Sequence, residues 1–501
     1  MTTRPPGPAR IEGVVAGTFF AFVAQLTTAV FTAGVTLYLV RALGPESFGE
    51  LALVLSVGGI SLVVADAAIA QSTGRYAAVA ADGDPERIAA IVSAGLRLKL
   101  ALSLGAAVVL VTLADPIARA YGEPAMAWSL RLIALSVVTE SVMLLWLVAF
   151  QALRRLSINV RLYLVESLAE AAAIVTLVTL GFGVAGAVLG RGLGYTVGAI
   201  AGAVLLTRML GRRLSLRGDK PNRRQIATYA RPLFVSTSIY STYSQVDVQL
   251  IGALLNRSLV GIYAAPMRII ILLGYPGQAL AGAVSPRMSG PDPEVGAFNS
   301  ALRWLLIYQT MLMAPVILWA EPICVVLLGA DYRESGVVLA AMAPFLFLNG
   351  MSALISTTVN YLGHARRRIP IVMLSLVINV VLDLILLPTI GVVGAAIGTS
   401  VSYLVYVPLH LRICRESFDV PLRPLATTLG RATLGTVAFG AILLAVGAGP
   451  GDPSVVRMLL AGTGGVVAYV IVLVATRELT GADARFAGDV WAGARSRMAR
   501  G

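Results

Sequence analysis

The sequence predicts an all-α polytopic membrane protein of about 14 transmembrane helices, arranged as two parallel six-helix lobes plus a C-terminal helix pair. Three observations predict it. The 501 residues are 57% hydrophobic and 13% charged, with a mean hydropathy of +0.83, whereas a soluble domain carries about 25% charged residues. Apolar runs long enough to cross a bilayer recur along the chain. Short motifs also recur at nearly one offset, so the runs fall into two sets.

A helix needs about 20 mostly apolar residues to cross hydrocarbon. Fourteen runs meet this, at residues 13–40, 48–70, 88–114, 125–150, 158–180, 184–208, 230–254, 260–285, 299–320, 335–361, 369–388, 391–411, 426–447 and 456–476. Lipid offers backbone groups no partners, so each run is expected to be helical. Arg4 and Arg10 precede the first run as they would in a signal peptide. Its apolar stretch exceeds the roughly 7–15 residues of such a segment, so it reads as a permanent helix. Most connections are too short to fold alone, and the longest, Arg208 to Arg231, is basic and polar.

Loop charges orient the spans. The side holding the termini carries 26 Arg and Lys, among them Arg75, Arg154, Arg212, Lys220, Arg366 and Arg412, against five (Arg41, Arg119, Arg257, Arg333, Arg457) on the other. Both termini are therefore expected in the cytoplasm and the protein in the cell membrane. The net charge of +13 and pI near 10.1 are a topology signal, with no nucleic-acid partner implied. Cys324 and Cys414 fall at opposite faces in this topology and cannot pair.

The repeat sets the domain plan. Leu43–Ala52 aligns with Leu255–Ala264, matching Gly49 to Gly261 at offset 212; Asp115-Pro116-Ile117 aligns with Glu321-Pro322-Ile323 at offset 206. Gly183–Tyr195 aligns with Gly391–Tyr403 at offset 208, with Gly183, Val184, Gly186, Ala187, Gly190 and Tyr195 recurring identically. The expected division is an N-lobe at 1–208, a basic linker at 209–229, a C-lobe at 230–412, extra spans at 413–476 and a basic tail at 477–501. Six spans is an even number, so the lobes run parallel about an axis along the membrane normal, one of the plans of alternating-access transporters.

Leu39 to Gly49 (LVRALGPESFG), leaving the first span, resembles the L-x-R-x-L-G-P-x-x-F-G signature of polysaccharide transporters. Ser236–Arg268, with Asp247 followed by Gly261-Ile262-Tyr263-Ala264, and Gly391–Ser402 resemble that family's second-lobe start and twelfth helix. The chain is thus similar to the oligosaccharide flippases of the multidrug/oligosaccharidyl-lipid/polysaccharide exporter superfamily. The resemblance implies transfer of a polyprenyl-diphosphate-linked oligosaccharide to the outer leaflet for cell-surface polysaccharide synthesis. It also implies work beside glycosyltransferases and a polysaccharide polymerase. An ion-coupled multidrug extruder is the alternative within the superfamily; a membrane-embedded glycosyltransferase is the alternative outside it.

Enzyme chemistry finds little support. Neither Lys99 nor Lys220 follows a glycine, so no P-loop exists; His364 and His410 make no zinc motif. Asp82-Gly83-Asp84 reads as a solvated turn. No catalytic residue, metal or cofactor is expected, and the energy source is a proton or Na+ gradient, the substrate gradient or a partner.

Ionisable groups within spans are the candidate site, because each costs about 2.5–3.5 kcal/mol at a helix centre and so tends to face a cavity or a partner. Arg97, Arg131, Arg191 and Arg268 lie several residues inside their spans and are expected to line a cationic cavity between the lobes. Planar guanidinium groups suit phosphate oxygens. Lys99, Arg161 and Arg303, nearer span ends, are expected to snorkel to the interface. Glu140, Glu166, Glu170, Asp247 and Asp383 are the candidate coupling carboxylates, and Asp66 reads as structural. Glu166 and Glu170 share a helix face with Tyr163. Either an arginine neutralises them or one holds an exchangeable proton. The tail alternates Phe486, Val490 and Trp491 with arginines, as an interfacial helix or a disordered segment would.

Overall fold

The computed structural model describes residues 14–80, 85–210, 220–289, 292–447 and 454–480, with only the backbone for 14–30, Pro85, Pro232, Ser236 and Tyr240. Arg4, Arg10, the Asp82-Gly83-Asp84 turn, residues 211–219 of the linker and residues 481–501 of the tail lie outside the described residues. Within them the regular structure is helical throughout. The helices are α1 (Val14–Asp66), α2 (Ile69–Val79), α3 (Pro85–Ala120), α4 (Met126–Ala152), α5 (Leu156–Leu177), α6 (Gly183–Leu210), α7 (Lys220–Leu254) and α8 (Arg257–Val284). They continue as α9 (Val295–Leu318), α10 (Ala320–Leu328), α11 (Ser335–Ala341), α12 (Ala343–Tyr361), α13 (Ala365–Ile390), α14 (Val392–Ser417), α15 (Leu422–Val446) and α16 (Val455–Ala475).

The apolar runs of the sequence fall on these helices, with differences at the joins. Among the described residues, ten helical stretches are long and apolar enough to cross a membrane, or eleven if α11 and α12, bent by 55°, are one span. The gap from the expected fourteen has three sources. The stretch Phe31–Ala80 runs through Gly44, where φ is 71° and Pro45 follows, so two helices meet at a kink without the loop expected at 41–47. The stretch Leu156–Leu210 likewise joins α5 to α6 through a five-residue π turn. Third, α7 is not among the ten: it begins at Lys220, ten residues before its apolar run, in a polar and basic segment. The break between α11 and α12 was not legible as a span end; Pro344 occupies the first turn of α12, where its missing N–H is harmless but the helix behind it cannot continue unbroken.

By packing density the chain gathers into two compact units, Met1–Leu272 with Val372–Gly398, and Leu273–Ile371 with Thr399–Gly501. In the first, Trp146, Phe150, Leu145 and Val92 are buried between α2, α3, α4 and α6. The Trp146 indole donates to the Ala199 carbonyl at 2.9 Å, which satisfies the one polar atom a tryptophan carries into a core. In the second, α15 packs on α9 and α16 around Phe439 and Tyr469. The Tyr469 hydroxyl donates to the Ile307 carbonyl at 2.7 Å.

The repeat appears as repeated geometry. A methyl group on Gly49 would collide with the Arg257 carbonyl, and one on Gly261 would collide with the Pro45 carbonyl. Both pairs are related by the offset of 212, so α1 and α8 cross reciprocally at equivalent glycines. Gly183 and Gly391, the first residues of the matched motif, both take positive φ, 51° and 63°, where the chain reverses into α6 and α14. The matched Asp-Pro-Ile and Glu-Pro-Ile segments differ more: Pro116 continues within α3, whereas Pro322 sits in the first turn of the separate α10.

Candidate functional site

Small residues on α6 create the first charged cluster. Gly190 lies against the Ile174 backbone and Gly194 against the Glu170 backbone, so α5 and α6 approach closely. That approach places Arg191 between carboxylates of two neighbouring helices. Its guanidinium is 3.2 Å from Glu140 on α4 and 3.6 Å from Glu170 on α5. It also donates to the Tyr195 hydroxyl at 3.2 Å and lies 5.0 Å from that ring's centre. Glu166, buried one turn below Glu170, accepts a hydrogen bond from Ser167 at 3.1 Å. Glu140 is also within electrostatic reach of Lys99.

Lys99 corrects the sequence expectation. It does not snorkel: its side chain is 0% exposed and ion-paired with Asp66. The reason is the backbone of the partner. Helix α1 stops at Asp66, and Ala67 and Ala68 take positive φ before α2 begins. A carboxylate beside the negative end of a helix needs a cation, and Lys99 supplies it. The cluster thus assembles Asp66, Glu140, Glu166 and Glu170 with Lys99 and Arg191 from α1, α3, α4, α5 and α6. Four carboxylates face two bases, an excess that a proton or another cation can fill.

A second cluster joins α7, α8 and α13. Asp247, half-buried, and Asp383, fully buried, lie within electrostatic reach of one another. The Tyr263 hydroxyl donates to Asp247. Buried Asn379 lies one turn before Asp383 on α13, and Gly398 on α14 packs directly against the Asp383 carboxyl. Two neighbouring carboxyls inside an apolar bundle repel one another unless a proton or a cation lies between them.

The other predicted arginines are placed differently from one another. Arg131, five residues into α4, is 38% exposed and ion-paired at 2.6 Å with Asp115 near the end of α3. Arg97 and Arg268 are half-buried, on α3 and α8. Arg161 is exposed. Arg303 is half-buried and lies 2.8 Å from Glu478, just past the end of α16, which also binds Arg431 at 3.0 Å and Thr428 at 2.7 Å. Burial alone would raise the Glu478 carboxyl, but the hydrogen bonds from Arg303, Thr428 and Arg431 hold it below its usual range.

Sequence reasoning missed Arg431 and Glu478, which fix α15 and the end of α16 to α9. It also missed the clamp on Arg257, which reaches Glu46, Glu50 at 3.8 Å and Glu123 at 2.9 Å. The signal for the clamp was present in the motif that carries Gly49: Glu46 and Glu50 flank it, and Arg257 aligns with Pro45. Both native cysteines are buried and unpaired, as expected.

Several known proteins are similar to this chain. A probable low-salt glycan biosynthesis flippase, Agl15, from Haloferax volcanii is 23% identical over 279 residues, 54% of this chain and 59% of that protein. An uncharacterized membrane protein, MJ1375, from Methanocaldococcus jannaschii is 22% identical over 240 residues, 46% of this chain and 58% of that protein. The chain therefore spans just under three fifths of the length of the curated relatives it matches. Among solved structures, the lipid II flippase MurJ in an inward closed conformation has a TM-score of 0.76 at 13% identity, covering 93% of this chain and 99% of that one. An inward-facing multidrug resistance MATE transporter of the MOP superfamily has a TM-score of 0.62 at 16% identity, covering 80% and 99%. The sequence model of one family, described as polysaccharide biosynthesis protein, matches residues 14–290. That match takes in more than half of the sequence, together with the Gly49–Gly261 crossing and the Arg191 cluster, and the chain belongs to the polysaccharide biosynthesis protein family.

Proposed function

We propose that this protein is a flippase that carries a polyprenyl-diphosphate-linked oligosaccharide from the inner to the outer leaflet by alternating access. The observation that carries the reading is the pair of buried to half-buried ionisable clusters within duplicated apolar helices: an inert bundle has no reason to bear that insertion cost. In this reading Arg97, Arg131, Arg191 and Arg268 compensate the diphosphate, with Arg131 and Arg191 exchanging Asp115, Glu140 and Glu170 for phosphate oxygens. The Asp247–Asp383 pair and Glu140, Glu166 and Glu170 take up and release a proton or Na+ to drive return of the empty carrier. No bond in the substrate is made or broken.

The multidrug-extruder reading draws on the MATE likeness. That likeness covers 80% of the chain against 93% for the MurJ fold, which favours the lipid-linked substrate.

The test is transfer of a fluorescent polyprenyl-diphosphate oligosaccharide in proteoliposomes. Asp383→Asn is expected to abolish stimulation by an imposed ion gradient while leaving the protein folded. Replacing Arg97, Arg131, Arg191 and Arg268 singly by Ala is expected to slow transfer at equal protein level. Transfer unchanged in all four removes the headgroup role. Extrusion of a lipophilic cation, with no lipid transfer, would establish the multidrug reading instead.

A further inference from the structure

A third feature lies apart from both carboxylate clusters. A groove of about 980 Å³ opens between the end of α2 and the start of α7, lined by Tyr76, Lys220, Arg224, Thr228 and Tyr229 among others. Its aromatic part is held in place: the Tyr76 and Tyr229 rings meet edge to face at 6.0 Å, and the Arg75 guanidinium covers the Tyr229 ring at 4.3 Å. Lys220, Arg224 and Thr228 are four residues apart on α7 and so share one face of its opening turns. No acidic residue lines the groove among the described residues.

The charge is unusual for its position. The first N–H groups of a helix carry a partial positive charge and favour acidic side chains. The first turn of α7 contains no acid, and it places Lys220, Arg223 and Arg224 on that positive end. The Arg223 Nε is buried and makes no hydrogen bond among the described residues. Stacked positive charge becomes favourable when an anion is present. A free phosphate would use the cations but not the rings. A headgroup attached to an apolar body uses both, and the groove adjoins helices long enough to span the bilayer.

We propose that this groove binds the phosphate headgroup of an anionic membrane phospholipid, with Lys220, Arg224 and Arg75 on the phosphate and the Tyr76–Tyr229 pair against the glycerol and upper acyl region. The site does not depend on the flippase reading, since it contains none of the residues assigned to transport.

The full-length protein in nanodiscs, with phosphatidylglycerol titrated into phosphatidylcholine, tests this by native mass spectrometry and by the thermal unfolding midpoint. The wild type is expected to retain phosphatidylglycerol over phosphatidylcholine, with binding that weakens as salt rises. Lys220→Gln with Arg224→Gln is expected to weaken that binding roughly thirtyfold, about one surface charge interaction each. Both residues are exposed, so the fold is untouched; Arg224→Gln alone, weakened by a smaller factor, serves if the double variant fails to express. Equal retention by the wild type and the variants overturns the proposal. Stabilisation by inorganic phosphate or pyrophosphate alone, equal to that by phosphatidylglycerol, also overturns it, by assigning the groove to a soluble anion.

Discussion

Lys99, fully buried, and Asp66, half-buried, form a pair whose members need each other. Removing one partner leaves an uncompensated charge among apolar side chains, whereas removing both does not. Lys99→Met is expected to destabilise the protein by about 3 kcal/mol, and Lys99→Met with Asp66→Asn to recover most of that, read from unfolding in detergent. A single variant as stable as wild type would show that the pair carries no weight. Glu478 makes a pH-dependent contribution. Its carboxyl is held below the usual glutamate range in the folded state, so its stabilisation is present in full above the unfolded-state value of about 4.3 and is lost as pH falls through the depressed one. Glu478→Gln is therefore expected to unfold earlier than wild type at neutral pH, by about 1.5–3 kcal/mol. The gap should close in acid, and a gap that widens below pH 4.5 contradicts the assignment.

At the scale of elements, the crossing of α1 and α8 rests on two glycines whose absent methyl groups make room for carbonyl oxygens. A carbonyl is part of a helix and cannot turn aside as a flexible side chain does, so the helices must separate. Gly49→Ala and Gly261→Ala are each expected to cost about 1–3 kcal/mol, the range for overpacking. Because both act on one contact, the double variant should cost less than the sum. Additive losses would mean that the two glycines serve separate contacts. The crossing also places Arg257 beside Glu46, Glu50 and Glu123, so a variant that spreads the helices is expected to lose the clamp and slow transfer as well.

Across the whole molecule, the sequence supplies a topology that can be tested directly. The two native cysteines are buried, so they are a silent background for labelling. A cysteine introduced at Arg366 is expected to resist a membrane-impermeant thiol reagent in intact cells and to react after lysis; one at Arg333 should react in both. The reverse pattern would invert the orientation drawn from the 26-to-5 count. Composition and run length were enough to predict an all-helical membrane protein, because a backbone in lipid has almost no alternative to the helix. The recurring glycines at 49 and 261, and at 183 and 391, announced the repeat, since close approach and positive φ demand the same residue wherever they recur. The partners of the charges were not legible. Lys99 meets a carboxylate 33 positions away and Arg303 one 175 positions away, and neither spacing leaves any period in the sequence. Hydropathy records what each residue costs in oil, residue by residue. Which charges cancel is a property of distance in space, and only the packing of α1 on α3, or of α9 on α15 and α16, fixes that distance.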